Sequence, residues 1–363
     1  MASSLSADLE AFRAYREHSK REVARVERNL NSLSDDDKAS LVCPAEEQVR
    51  KMQEAVKQNL AFLEGVSQLI QAFQTNRPPE SEGLQIEASS PSQKSIQVLM
   101  QTFVREWSAE GEVERKECLE LLMGALRQHV PVTANSSGEM PLVLVLGSKL
   151  GRILFEVQQL GYRGEGCEWK PLMYFGSEFV RKECASVGSK TLQPFVLNTC
   201  NRFKMDDHVR KVPIPDVEVK DMPPVRFGSF SQLYCKATCQ DKFDAVVTAF
   251  SMDTTVNIFR YVRTVAHVLR PGGLWTNFGP VAFDTEDDEA HGHGVELSWE
   301  ELRAVISHFF DVHPDEKFVD ALHAANGESM MQIQYSCIYF AATRNNVPAE
   351  AIGPSSSAAA ASS

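Results

Sequence analysis

The chain has 363 residues with a formal net charge of -12, and 43% of its residues are hydrophobic. A single core rarely grows beyond about 250–300 residues, so we expect a main domain with an appendage. The acidic balance argues against a nucleic-acid partner, because phosphate contacts need a positive field. The eight cysteines show no paired spacing, and no apolar run approaches the ~20 residues of a membrane helix. We therefore expect no membrane anchor and a cytoplasmic location, with the nucleus as a second one.

The sequence pattern over residues 1–130 predicts helices. Mixed charges with sparse apolar residues over 15–30 are typical of a solvent-facing helix, and apolar residues recur with a helical period over 46–73. The Pro-, Ser- and Gly-rich stretch 76–93 predicts a linker, and further helices are expected over 95–107 and 112–130. The predicted organisation is a helical extension over 1–75, a linker over 76–93, a main domain over 94–344 and a disordered tail over 345–363.

From residue 141 onward, short apolar segments alternate with helical ones. The continuous apolar run over 141–146 is typical of a strand that is buried on both faces of a parallel sheet. Further strands are expected at 164–169, 243–250 and 274–279, with helices between them, which predicts a doubly wound parallel sheet. After a helix over 298–310, the alternating stretch 331–342 predicts a late strand, in a hairpin at the sheet edge.

The turn after the first strand carries two glycines, Gly147 and Gly151, and opens a helix. This arrangement presents backbone N–H groups and a helix dipole to a ligand. Glu168 ends the next predicted strand, 21 positions beyond Gly147, where an acidic side chain can accept hydrogen bonds from a ribose. Two glycines at this spacing also occur in ordinary strand–helix turns, and Glu168 alone could be a surface residue. Taken together, their order favours an adenosine-type cofactor site.

A family resemblance becomes specific when later segments are added. The turn over 269–275, Leu-Arg-Pro-Gly-Gly-Leu-Trp, resembles one found in many methyltransferases, although Pro-Gly-Gly also ends any helix. Over residues 10–344 the chain resembles the carnosine N-methyltransferase family. The segments that carry the resemblance are 103–107, 147–152, 168–169, 214–216, 253–254, Asn257, 272–275, 277–280, 295–298 and 335–337.

The resemblance implies an α/β fold, a Rossmann-like class I methyltransferase sheet behind an N-terminal helical extension. It implies S-adenosylmethionine as the cofactor and methyl transfer to an imidazole nitrogen of a histidine-containing dipeptide, of the carnosine-to-anserine type. Arg105 would bind the methionine carboxylate of the cofactor, Glu168 the ribose and Phe230 the adenine. The full set of cofactor-binding residues that the resemblance implies is Thr102, Arg105, Gly147, Gly151, Glu168, Ser229, Phe230 and Ala249.

The resemblance also implies a substrate pocket that contains Asp253, Tyr335 and Asp284. Asp253 is the catalytic candidate, because a carboxylate at one imidazole nitrogen would fix the tautomer and leave a lone pair on the other. From the residues alone, Asp253 could equally cap the helix that is expected to begin near residue 256. The acidic run 284–293 contains two histidines but no ligand spacing of a metal site, so we expect a solvated loop and no metal ion.

Four residues depart from the family pattern. Lys149 stands in place of the central glycine of the turn, Ser229 in place of an aspartate, Thr102 in place of a glutamine and Asp284 in place of a histidine. They leave open a methyltransferase for another small molecule, peptide or protein, and a non-catalytic protein that retains the fold. A nicotinamide dehydrogenase is disfavoured, because no third glycine follows at the expected place. The oligomeric state stays open, with a homodimer among the assemblies that we expect.

Overall fold

The computed structural model describes residues 2–76, 92–255, 257–283 and 295–349. The chain forms two compact units, each built from three separate stretches. The helical unit comprises Met1–Arg115, Lys170–Lys220 and Leu322–Ile333, and the sheet unit comprises Lys116–Trp169, Asp221–Ala321 and Gln334–Ser363. The domain boundaries expected at residues 75, 93 and 344 stay a prediction.

The helices and strands follow the predicted order, with additional short strands. The helices are α1 (Ala2–Asn31), α2 (Asp35–Ala39), α3 (Ala45–Thr75), α4 (Gln93–Trp107), α5 (Glu112–His129), α6 (Arg152–Gln159), α7 (Pro171–Glu183), α8 (Phe230–Leu233), α9 (Ile258–Val268) and α10 (Trp299–Ser307). The strands are β1 (Leu142–Leu146), β2 (Arg163–Glu168), β3 (Lys190–Leu192), β4 (Val212–Ile214), β5 (Val225–Phe227), β6 (Phe243–Ala249), β7 (Leu269–Gly279), β8 (Phe310–Val312), β9 (Lys317–Leu322) and β10 (Gln334–Arg344). Among the described residues, none of the helices is both long and apolar enough to cross a membrane.

The helical unit is held together by an aromatic cluster that joins α3, α4 and α7. The ring of Phe62 meets the rings of Phe103 and Phe179 edge-on, with both centroid distances at 5.0 Å. Such edge-to-face pairs stabilise a core beyond the area that they bury. Gly65 allows the close packing of α3 on α7, because a Cβ at this position would lie 2.4 Å from the Phe179 ring.

The sheet unit contains one sheet with the strand order β5-β2-β1-β6-β7-β10-β8, and β9 also pairs with β10. The strands from β5 to β7 run parallel, whereas β10 is antiparallel to both β7 and β8. The α/β class I methyltransferase sheet expected above is thereby confirmed. The late strand lies one place in from the edge, because β8 forms the outermost strand on that side.

One hydrophobic core of the sheet unit packs the helices α9 and α10 against the sheet. Trp275 of β7 and Phe340 of β10 are fully buried, with ring centroids 5.1 Å apart, and Ile258 and Leu302 belong to the same cluster. Ser298 caps α10 through the expected capping box with Glu301. This packing fixes the strands whose carboxyl ends carry the residues described next.

Candidate active site

Five of the residues implied as cofactor-binding lie along the carboxyl edge of the parallel strands. The register of β1 against its two neighbours places Gly147 beside Glu168 on one side and Ala249 on the other. β5 pairs with β2 as far as Glu168, and Ser229 and Phe230 follow the end of β5. Ligands of open α/β sheets bind at this edge. The sheet topology thus brings these five residues into one row.

Glu168 links this row to the turn after β1. The residue is 3% exposed, and its Oε2 accepts a hydrogen bond of 2.9 Å from the backbone N–H of Lys149. Its Oε1 accepts a second bond of 2.9 Å from the N–H of Trp169. Two backbone donors fix the carboxylate in one orientation. A buried, oriented carboxylate is suited to accept further hydrogen bonds from paired hydroxyls of a ligand.

The turn itself requires glycine at both predicted positions. Gly147 has a φ of 63° and Gly151, directly before α6, has a φ of 88°. A Cβ at Gly147 would also lie only 2.4 Å from Cβ of Ser251, in the segment that follows β6. The missing side chain therefore lets two backbone segments meet at the carboxyl edge, as a cofactor cradle requires.

Phe230 belongs to a cluster of aromatic rings at the end of β5. It is 8% exposed, and its ring centroid lies 5.6 Å from that of Tyr234 and 5.2 Å from that of Tyr261. Burial raises the pKa of both tyrosines, so both remain neutral phenols. Ser229 and Ser231 place their hydroxyl oxygens 3.3 Å apart beside this cluster. The end of β5 thus offers an apolar wall next to small polar groups.

Asp253 lies in a 3₁₀ turn, Met252–Thr254, shortly after β6. It is 7% exposed, and its Oδ2 accepts a hydrogen bond of 3.1 Å from the N–H of Ala282, which follows β7. The alternative role as a helix cap is wrong, because Asn257 caps α9 by accepting from the N–H of Arg260 at 2.9 Å. Asp253 is therefore a buried carboxylate at the carboxyl edge that is not the N-cap of α9.

The two other predicted substrate residues differ in what the structure shows. Tyr335 is half-buried near the start of β10. Because β10 is antiparallel to β7, its start lies at the same edge as Asp253. Asp284 lies outside the described residues, as does the rest of the acidic run 284–293. Within the ranges that the structure does describe, no cluster of His, Cys, Asp and Glu side chains could hold a metal ion.

Thr102 and Arg105 lie on α4 in the helical unit. Thr102 donates from Oγ1 to the carbonyl of Val98, one turn earlier, at 2.8 Å. Arg105 is 12% exposed at its side chain, and its Nε lies 3.2 Å from Oε1 of Glu114. A guanidinium has five donors, so this ion pair orients the group and is compatible with a second carboxylate partner.

Sequence reasoning missed the charged residues that support Arg105. Glu114 accepts from the backbone N–H groups of Ala324 and Ala325 at 3.1 and 2.8 Å. Arg115 donates to the Arg105 carbonyl at 3.0 Å and pairs with Asp216. Sequence analysis included Asp216 only as part of the family-like segment 214–216. No local sequence pattern indicates a role for Glu114. Its backbone partners lie more than 200 positions further along the chain.

Comparison with known proteins identifies the family. The family model described as carnosine N-methyltransferase matches residues 82–346, which is well over half of the chain. The chain belongs to the carnosine N-methyltransferase family. It is accordingly an N-methyltransferase that uses S-adenosylmethionine as its methyl donor, as expected from the sequence.

Individual relatives agree with this assignment. The enzyme is 29% identical to the carnosine N-methyltransferase of Rattus norvegicus over 340 residues, which cover 92% of this chain and 84% of that protein. It is 30% identical to that of Dictyostelium discoideum over 250 residues, 67% of this chain and 53% of that protein. Among solved structures, magnesium protoporphyrin IX methyltransferase from Synechocystis is 9% identical with a TM-score of 0.37, covering 64% of this chain and 84% of that one. A likeness at that level adds nothing to the family assignment.

The residues present fit an adenosine cofactor. Gly147 keeps the cradle open where a Cβ would collide with Ser251. Glu168 supplies a buried carboxylate, and Phe230 a buried ring, along the same edge of the sheet. Backbone N–H groups, a carboxylate and an aromatic wall are the partners that a sulfonium nucleoside needs for its ribose and base.

Proposed function

We propose that the enzyme methylates an imidazole nitrogen of a histidine-containing dipeptide, as in the conversion of carnosine to anserine. The observation that carries this proposal is Asp253, a buried carboxylate held by the N–H of Ala282 at the carboxyl edge. The names of the relatives, carnosine N-methyltransferases from rat and Dictyostelium among them, support the dipeptide class.

Cofactor binding is assigned to the row at the carboxyl edge of the sheet unit, and the roles that the resemblance implies for Thr102 and Arg105 stay predictions. Glu168 would accept hydrogen bonds from the ribose hydroxyls, and the backbone of the turn over 147–151 would bind the nucleoside. Phe230 would pack against the adenine, and the resemblance implies that Arg105 binds the methionine carboxylate through charge-assisted hydrogen bonds. Supporting contacts are assigned to Ser229 and Ala249.

The acceptor is assigned to Asp253, Tyr335 and Asp284. A neutral imidazole has one N–H and one nitrogen lone pair, and Asp253 would accept the N–H. The bound cofactor supplies a methyl group on a positively charged sulfur. The nitrogen lone pair of the acceptor would form the new N–C bond to that methyl group, the C–S bonding electrons would stay on the sulfur, and the ring would become cationic. Asp253 stabilises that charge and holds the proton that leaves the ring, while the surrounding residues keep the ring in line with the methyl group.

Turnover with purified protein tests the substrate. Carnosine and cofactor labelled in its methyl group should give a labelled dipeptide that is methylated on the imidazole. If no histidine-containing dipeptide accepts the label, the substrate assignment is lost. A panel of amines, peptides and proteins then separates a different methyltransferase from a non-catalytic protein, and calorimetry with S-adenosylhomocysteine shows whether the cofactor binds at all.

Asp253→Asn tests the mechanism. Removal of a general base lowers kcat by roughly 100- to 10,000-fold, while the affinity for S-adenosylhomocysteine should stay the same. Asp311→Asn, at an exposed position of β8 in the same unit, is the matched control and should leave kcat unchanged. If kcat of Asp253→Asn equals that of the wild type, Asp253 is not the base. The cytoplasmic or nuclear location, the homodimer and the absence of a nucleic-acid partner stay predictions.

A further inference from the structure

Lys149 places a positive charge in the turn after β1. Its backbone N–H donates to Glu168, on the β2 side of the turn. Its Nζ lies 5.1 Å from the centroid of the Phe250 ring, which follows β6 on the other side. At this distance an ammonium group is attracted by the electrons of the ring. The charge therefore lies over Phe250, in the segment between β6 and Asp253.

Backbone strain marks both members of this pair. Lys149 and Phe250 have φ values of 47° and 49°, in the left-handed region that disfavours residues with a Cβ. Phe250 is held there by a hydrogen bond of 2.9 Å from its N–H to the Phe278 carbonyl. It also packs against Gly279, where a Cβ would lie 3.0 Å from the Phe250 nitrogen. Such strain persists only where surrounding structure enforces it, and it concentrates at functional sites.

We propose that Lys149 binds the carboxylate of the methyl acceptor. This inference rests on the proposed function, because a histidine-containing dipeptide brings both an imidazole and a carboxylate into the site. Asp253, three residues after Phe250, is assigned to the imidazole, and Arg105 to the carboxylate of the cofactor. The ammonium over Phe250 supplies the matching charge for the second carboxylate. Lys149 then makes the enzyme selective for a dipeptide with a nearby carboxylate over a decarboxylated amine.

The test compares carnosine with its decarboxylated analogue, β-alanylhistamine, as substrates. In Lys149→Met, kcat/KM for carnosine should fall by ~10- to 100-fold, the size expected for a lost charged hydrogen bond. For β-alanylhistamine, kcat/KM should change by less than about threefold. Lys149→Gly should behave in the same way, and its glycine also relieves the positive φ, so thermal unfolding should show an intact fold.

Two controls separate this role from a cofactor contact. Lys236→Met removes an exposed lysine of the same unit and should change neither substrate preference nor kcat. The Kd for S-adenosylhomocysteine should be the same in Lys149→Met and the wild type. If that Kd rises while the preference for carnosine persists, Lys149 binds the cofactor carboxylate and the proposal is overturned.

The outcome is separable from that of the proposed function. If the wild type methylates neither compound, the methylation proposal has failed. Titration of carnosine into protein loaded with S-adenosylhomocysteine then examines Lys149 on its own. Weaker binding to Lys149→Met supports the carboxylate contact, whereas equal affinity, or no binding to the wild type, overturns it.

Discussion

Glu168 binds backbone N–H groups and is also assigned to the ribose, and one substitution tests the second role. Its carboxylate accepts from the N–H groups of Lys149 and Trp169, and we assign the ribose hydroxyls to the same oxygens. Glu168→Gln turns one acceptor oxygen into an NH₂ donor that faces a backbone N–H. We expect the Kd for S-adenosylhomocysteine to rise ~10- to 100-fold, measured by calorimetry. The exposed Glu117→Gln should leave Kd as it is, and an equally unaffected Glu168→Gln would contradict the ribose assignment.

Asp8 makes the stability of the helical unit depend on pH. The residue is 1% exposed on α1, and both carboxyl oxygens are without a hydrogen-bond partner among the described residues. Burial raises the pKa of Asp8 from 3.8 to about 7. The folded state therefore holds a proton that the unfolded state releases above pH about 4. Its favourable contribution is complete below that pH and is lost as the pH rises through about 7.

Asp8→Asn removes this titration and is the test. Urea unfolding at pH 5 and pH 8 should show the wild type losing on the order of 3 kcal/mol relative to Asp8→Asn over that interval. Asp36→Asn, at an exposed position of α2, should follow the pH dependence of the wild type. Parallel stability curves for Asp8→Asn and the wild type would show that Asp8 does not titrate in this range.

At the scale of elements, the turn between β1 and α6 depends on Gly147. Gly147→Ala would place a methyl group against Ser251 at a φ of 63°, at a cost of about 2 kcal/mol in the free energy of unfolding. Gly124→Ala is the matched control, because this glycine lies within α5 with no atom within 4 Å of an added Cβ. We expect it to stabilise by about 0.5–1 kcal/mol. Equal effects of the two substitutions would show that the turn tolerates a side chain.

Long elements could be predicted from the sequence, whereas short ones could not. The apolar run of β1 and the periodic stretch of α3 carry enough residues to define their type. β5 and β8 have three residues each, too few to show alternation, and their identity depends on pairing with β2 and β10. The Gly147 turn and Glu168 could be predicted from the sequence because a fixed spacing connects them. The positive φ of Phe250 occurs where its N–H donates to the carbonyl of Phe278 at the end of β7, a contact that no local pattern reveals.

At the scale of the whole molecule, both compact units are assembled from distant parts of the chain. The helical unit contains residues 322–333 in addition to its N-terminal helices. Glu114, at the start of α5, accepts from the N–H groups of Ala324 and Ala325 and pairs with Arg105. The contacts of this unit therefore cannot be predicted from local helix propensity, because they form only when segments distant in sequence come together. The buried carboxylate of Glu114 thus connects Arg105 to the segment 322–333.

Glu114→Gln should therefore affect both stability and ligand binding. The side chain of Glu114 is 2% exposed, and breaking a buried ion pair that is also hydrogen-bonded costs roughly 3–5 kcal/mol. We expect a lower urea midpoint and faster proteolytic cleavage within residues 324–333, because one of the two backbone N–H groups that Glu114 binds loses its acceptor and faces an NH₂ donor instead. The Kd for S-adenosylhomocysteine should also rise, since Arg105 loses the partner that orients it. Glu112→Gln, exposed in the first turn of α5, should change none of the three. If Glu114→Gln is destabilised but its Kd is unchanged, Glu114 supports only the fold. That result would also contradict the assignment of Arg105 to the cofactor.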